Sequence, residues 1–437
     1  MTECKQKTWE FSTCKSRHVQ ADFGGGDITS DGGGLLLRQA DRKLRLTEQV
    51  AAALIDSRRQ NSCDHRLLHL LRQRVYGLAL GYEDLNDHER LRQDPAFQTF
   101  VERDETLAHP STLCRFENRA DRDAAVTMSG VLVEEFIRSH RRPPSRLILD
   151  LDATDDPVHG QQEGRFFHGY YDQYCFLPLY VFCGSQLLVA YLRPSNIDAA
   201  RHAWAILALL VKRLRQQWPG VEIILRGDSG FCRWRMLRWC DTHRVGYLVG
   251  LAKNSRINAL AQTLLDQAQT AFEQTGQKQR CFTAIPYAAY TWDKPRRVIV
   301  KAEHTELGSN PRYVVTNLDG DPRSLYDDMY CERGDMENRI KEQQLDLFAD
   351  RTSCHRWWPN QLRLLLSALA YVLIETIRRL ALRGTELATA QCGTLRLKLF
   401  KIGGVVLRNT RRIRFHLSAA YPYQNLFFRV ARRLASG

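Results

Sequence analysis

Between Tyr330 and Phe348 the chain reads YCERGDMENRIKEQQLDLF, a helical pattern in which Tyr330, Arg333, Glu337 and Lys341 are spaced by three, four and four residues. At roughly 100° per residue these four fall within an arc of about 80°, and Gln344 joins them. Such a face has two readings. It can be a solvated surface laced with weak Glu–Lys pairs. It can also carry a metal-holding carboxylate flanked by cations that hold phosphate. The second reading requires partner carboxylates elsewhere in the chain.

Candidates stand where a sheet displays chemistry, at the carboxyl ends of strands. The stretch LDLDATDD sets Asp150 and Asp152 on one face of a strand, because strand side chains alternate. A charge on a buried strand is costly unless it is paired or bound to metal. Asp228 ends VEIILRGDSGF, where Ser229 and Gly230 turn the chain sharply. Each aspartate alone could instead cap a turn. With Glu337 they form a set of carboxylates from two strand ends and one helix. Oxygen-only ligands suit Mg²⁺ or Mn²⁺ and not zinc.

The elements that must position these groups follow from periodicity. Up to about residue 140 the pattern is mostly helical after a start with two GGG turns. HPSTLCRFENRADRDAAVTMSGVLVEEFI is compatible with a helix-turn-helix reader, although helical pairs of this kind are common. SHRRPPSR, residues 139–146, reads as a linker. Strands are then expected at 147–152, 176–183 and 186–193, the last two joined by a hairpin at Gly184-Ser185. A helix at 198–218 with Asp198 as its cap precedes a strand at 221–228, a helix at 234–244 and a strand at 245–252. That order predicts an α/β sheet flanked by helices. From 253 to about 325 the pattern turns β-rich, with three strands rich in β-branched and aromatic residues.

The chain has 437 residues, 44% hydrophobic and 26% charged, enough for two or three domains with substantial cores. The first twenty residues have charges and no apolar run of a secretion signal, so a cytoplasmic protein is expected. LRLLLSALAYVLIETI from Leu362 is short for a membrane span and is broken by Arg363 and Glu375; a buried helix is expected, and no membrane partner. The 12 cysteines are scattered without metal-ligand spacing and are expected to be small buried residues. Net charge is +14, and residues 376–437 hold thirteen Lys/Arg against Glu386 alone, a net of +12. A tail so lopsided suggests a polyanion partner, unless it folds onto acidic surface elsewhere.

The motifs together resemble the DDE transposases of bacterial insertion sequences, in the insertion-sequence-4 superfamily, and within it the 1380 group. The resemblance covers nearly the whole chain. The family's Tyr-x2-Arg-x3-Glu signature is matched by Tyr330, Arg333 and Glu337, its first aspartate with x-Thr by Asp152 and Thr154, and its second, in DSGF, by Asp228. GYEDLNDHERLRQDP, STLCRFEN and LFKIGG also look like the group. The superfamily places a Lys seven residues after the Glu; here Gln344 stands there, and Lys341, one turn earlier on the same face, can substitute.

The resemblance implies an RNase H-like catalytic domain over 145–375 with a β-rich insertion at about 253–325. A mainly helical DNA-end-binding region would span 1–140, and a basic C-terminal region 376–437. It implies that Asp152, Asp228 and Glu337 hold two Mg²⁺ or Mn²⁺ ions per active site. Tyr330, Arg333 and Lys341 would contact DNA phosphate. The expected activity is binding of terminal inverted repeats, cleavage, and transfer of the cut ends to target DNA. The partners would be double-stranded DNA and a second copy in a homodimer, and the protein would associate with the nucleoid when bound. Relatives that cut through a DNA hairpin stack a Trp of the insertion on a flipped base. Trp292, beside Arg296 and Arg297, would be its counterpart; a packed aromatic is the other reading. A metal-dependent nuclease that does not rejoin DNA, and a non-catalytic DNA-binding regulator, are the alternative functions. The intact triad argues against the regulator.

Overall fold

The structure, a computed structural model, describes residues 8–436. The chain forms two compact units, Met1–Glu117 with Leu373–Gly437, and Asn118–Val372.

The second unit is built on one large mixed sheet. Its strands are β1 (Arg146–Ala153), β2 (Leu179–Cys183), β3 (Gln186–Tyr191), β4 (Glu222–Gly227), β5 (Gly246–Leu251), β6 (Gln279–Tyr287), β7 (Arg296–Thr305) and β8 (Arg312–Thr316). They lie in the order β6-β7-β8-β5-β4-β1-β2-β3. β1, β4 and β5 are parallel neighbours, and every other pairing along this path is antiparallel. Four helices cover one face: α1 (Arg122–Arg138), α2 (Ala203–Gln217), α3 (Trp234–Thr242) and α4 (Ser255–Thr275). They bury Phe136, Leu207, Leu237 and Ile257 against Leu149, Leu151, Leu225 and Val249. On the opposite face Leu248, Ile299 and Val314 pack against Leu325 and Tyr326. Burial on both faces is why β1, β4 and β5 read as near-continuous apolar runs.

The structure revises the sequence reading in three places. α1 was expected in the N-terminal region, but Val133, Phe136 and Ile137 share the core of the sheet, and Glu134 pairs with Arg213 of α2 at 2.6 Å. The stretch after residue 253 has its three expected strands but is not β-rich from its start. It opens with the 21-residue α4, and β6, β7 and β8 then extend the main sheet. Pro286, which lacks an N–H, is accommodated because β6 is the sheet's edge. Finally, α2 starts at Ala203 because Asp198 caps a preceding turn, accepting from the Ala200 amide at 2.9 Å.

The first unit has helices at Leu35–Leu44, Leu46–Ala53, Leu67–Leu80, Pro95–Val101 and Pro110–Asn118. The basic C-terminal region is integrated within it. Strands Gly404–Asn409 and Arg412–Leu417 form a hairpin, and Val405 pairs with Ile28. The early glycine run has a packing reason here: a Cβ on Gly33 would lie 1.8 Å from the Leu399 carbonyl oxygen. Arg408, Arg411, Arg412 and Arg414 stay exposed around the hairpin turn. Among the described residues no helix is long and apolar enough to cross a membrane. Cys175, Cys240 and Cys392 are buried as expected, whereas Cys14, Cys114 and Cys331 are exposed.

Candidate active site

A cleft of about 520 Å³ opens at the carboxyl ends of β1 and β4. Leu151 of β1 is paired with Gly227 of β4, so Asp152 and Asp228 are the next residues along two adjacent parallel strands. Asp228 leaves its strand in extended geometry, and its Oδ1 accepts from the Gly230 amide at 2.9 Å. This turn fits against β5 because residue 250 is glycine. A Cβ there would lie 2.9 Å from the Ser229 nitrogen and 2.8 Å from the Tyr330 hydroxyl.

The third wall is the helical run from Pro322 to Asp346. Its middle, α5 (Gly334–Lys341), is α-helical, and wider π-type turns stand at Leu325–Tyr330 and Glu342–Asp346. Such turns change the register of a helix and recur at functional sites. Arg333, Glu337, Lys341 and Gln344 all line the cleft with Asp152 and Asp228. Tyr330 sits behind them, its ring 5.6 Å from that of Tyr326. Gln344 donates to the Asp155 carbonyl at 2.8 Å, tying the helical run to the end of β1.

The structure separates the two aspartates that spacing left equivalent. Asp150 is buried and receives two bonds from Arg226 of β4, at 2.5 and 2.7 Å. Arg226 also donates to the Met329 carbonyl and so pins the helical run to the sheet. Burial opposes charge on both partners; Asp150 still raises the pKa of Arg226. Asp152 faces the cleft, and one of its oxygens accepts from the Ala153 amide at 3.0 Å. Burial pushes its carboxyl up to about 7; Arg333 opposes this, and Asp228 and Glu337 add to it.

Arg333 lies among these charges. Its Nη2 is 2.6 Å from Glu337 Oε1, while its Nη1 is 3.7 Å from Asp152 Oδ2. Nη1 is buried and makes no hydrogen bond. Burial works against the guanidinium, yet Asp152 and Glu337 outweigh it and raise its pKa. Among the described residues no three acidic, imidazole or thiol groups stand ready around one metal position. Glu337 is turned to Arg333.

Trp292, Arg296 and Arg297 are not brought to this cleft. Arg297 pairs through Thr316 with Leu248, so these residues lie toward the amino end of β5, away from the carboxyl ends that carry Asp152 and Asp228. The Arg296 side chain is 2% exposed and pairs with Asp241 and Asp293 at 3.1 and 2.9 Å. Arg297 donates to the carbonyls of Leu318 and Gly320, both at 2.6 Å. Trp292 packs edge-on against Tyr287 at 5.6 Å and under Arg296. Conversely, His168, Tyr170 and Tyr171 line the cleft and were missed. The signal was present in FFHGYYDQY, which sets five aromatic rings in an otherwise polar stretch.

Carboxylates gathered beside an arginine at the carboxyl ends of parallel strands are the arrangement of an enzyme site suited to phosphate chemistry. The chain belongs to the Transposase DDE domain group 1 family, which matches residues 11–436, and is thus a DDE transposase. The cryo-EM structure of a piggyBac transposase synaptic complex with hairpin DNA is similar over 93% of this chain and 82% of that one, at a TM-score of 0.43 and 12% identity. No curated protein matches the sequence.

Proposed function

We propose that this protein is the transposase of a bacterial insertion sequence of the insertion-sequence-4 superfamily, in its 1380 group. It binds the element's terminal inverted repeats, cleaves at them and transfers the ends to target DNA, as a homodimer on paired ends. The order β5-β4-β1-β2-β3, with β1, β4 and β5 parallel and β2 and β3 antiparallel, supports an RNase H-like core. The observation that carries the reading is the meeting of Asp152, Asp228 and Glu337 in one cleft with Arg333, whose buried Nη1 has no hydrogen-bond partner.

The donor set fits divalent ions. It is oxygen-only, and burial, with smaller additions from Asp228 and Glu337, raises Asp152 to about 7, a penalty on its charge that a hard cation relieves. Asp152, Asp228 and Glu337 would hold two Mg²⁺ or Mn²⁺ ions, which supply Lewis-acid stabilisation of the scissile phosphate and an activated oxygen nucleophile. Arg333 offers Nη1 to a phosphate oxygen. As the guanidinium turns to that oxygen it releases Glu337 to the carboxylate set. Lys341, exposed at the cleft, adds a positive charge for the backbone. Tyr330 backs Arg333 and holds the helical run close to Gly250.

The test is direct. Purified protein with Mg²⁺ or Mn²⁺ should nick a duplex built from the DNA that flanks the gene, and should join the cut end to a plasmid target. Nicking without joining would reduce the reading to a nuclease. No cleavage with either ion would end it.

A further inference from the structure

After β1 the chain forms a small sheet in which Asp156–Pro157 and Phe166–His168 both pair with Gln173–Phe176. The base of the Phe166–Phe176 hairpin is firmly held. Phe176 is buried edge-on to Trp357 at 5.4 Å, and a Cβ on Gly164, at φ +80°, would meet the Trp357 ring at 2.6 Å. Ser195 donates to the Phe166 carbonyl at 2.8 Å, and Gln173 to Asp155 at 2.6 Å. The other end presents rings to solvent: Phe167 is 53% exposed, Tyr170 85% and Tyr174 48%. Water-exposed rings this close in sequence, on a rigid base, mark a contact surface.

Two further observations say what it contacts. First, the hairpin is continuous with the cleft: His168, Tyr170 and Tyr171 line the same cavity as Asp152, Asp228 and Arg333. The Tyr171 ring stands 4.9 Å from His168 and 5.0 Å from Tyr170. A strand whose phosphate is held at Arg333 would therefore have adjoining bases beside these rings. Second, Arg333 and Lys341 line the same cavity, which sets positive charge beside the Tyr170 and Tyr171 rings, whereas Arg165 and Tyr174 stack with Phe167 on the other face of the hairpin. Aromatic faces interleaved with cations are how proteins hold unpaired nucleotides without reading their sequence.

We propose that the Phe166–Phe176 hairpin is a stacking platform for unpaired nucleobases flanking the bond that the cleft cuts, with Tyr170 and Tyr171 as the principal rings. The proposal rests on the reading of the cleft as a DNA-cleaving site. It moves the stacking role from Trp292, which is packed under Arg296, to a hairpin on the wall of the cleft.

The full-length protein can be titrated with labelled oligo(dT), and with a duplex whose unpaired end carries 2-aminopurine. In the wild type, stacking should quench the 2-aminopurine emission. Tyr170→Ala should weaken oligo(dT) binding about tenfold and restore emission, and Tyr171→Ala should do so to a smaller extent. Tyr170→Phe, which keeps the ring, should behave as wild type. The salt dependence should be unchanged in these variants, because no charge is removed, whereas Lys341→Ala should lower it. Tyr170 is exposed, so Tyr170→Ala should keep the wild-type melting temperature. If the wild type binds and nicks DNA while Tyr170→Ala and Tyr171→Ala retain its affinity and emission, the platform is refuted and the cleft reading stands. If the wild type binds neither probe, both fall. A change of oligomeric state with unchanged DNA binding would make the hairpin a self-association surface and overturn the proposal.

Discussion

The floor of the cleft and its mouth are built from the same residue types, to opposite effect. On the floor, Asp150 and Arg226 close on each other through two short bonds, and Arg226 spends a further donor on Met329. At the mouth, Asp152 meets Arg333 only at 3.7 Å, and an Arg333 nitrogen is left without a bond. The closed pair fixes the strand ends and the helical run in place. The open pair leaves carboxylate and guanidinium charge unspent, available to a cation and an anion that arrive together. Two residues of strand separate structure from chemistry, and the difference is whether the partners saturate each other.

The comparison can be broken most sharply by substitution at the mouth. Asp152→Ala, Asp228→Ala and Glu337→Ala should each lower the rate of nicking by roughly a thousandfold or more, if several kcal/mol of transition-state stabilisation is lost with the ions. Melting temperatures should stay near that of the wild type. On the floor the outcome should reverse. Asp150→Ala strands the buried Arg226 and should cost about 3–5 kcal/mol of stability by denaturant titration. The double variant Asp150→Leu with Arg226→Met should recover most of that loss. If Asp150→Ala instead kept its stability and lost only nicking, the assignment of floor and mouth would be inverted.

Smaller effects sharpen the contrast. Arg333→Ala should weaken binding of the flanking-end duplex by about tenfold and lower its salt slope by about one. It should also increase the thermal stabilisation given by Mn²⁺ alone, because Glu337 is no longer held. An unchanged Mn²⁺ response would show that Arg333 does not compete for Glu337. The smallest change is expected far along the chain. Arg411→Ala should reduce the salt slope of DNA binding by no more than about one, with metal response and nicking of bound DNA unaltered.

The legible parts were those with local signals. β1 to β5 announced themselves as apolar runs between turns, and Gly184, at φ +58°, stands in the hairpin turn expected between β2 and β3. The face joining Arg333, Glu337, Lys341 and Gln344 followed from helical spacing. α4 was missed because its buried positions, Ile257, Ala261 and Ala268, make too narrow a stripe among Gln and Thr. Its ends were nonetheless written in the sequence: Asn254 caps it by accepting from the Ile257 amide, and Gly276 closes it at φ +65°. The strand alternation that put Asp150 and Asp152 on one face could not say which would find an arginine, since Arg226 arrives from β4, 76 residues away. Nor could local pattern reveal that β8 would join β5, because that pairing is non-local.

The pairing of Val405 with Ile28 has a consequence for how the gene can decay. During synthesis the segment 118–372 is made before the strands that complete the other unit. A late frameshift or premature stop, falling after Glu337 and before Gly404, would therefore leave the codons for Asp152, Asp228 and Glu337 untouched. It would still remove the strand on which Ile28 and Thr29 close. A copy of the element can thus keep every codon of its cutting site and still encode a chain whose first unit never completes.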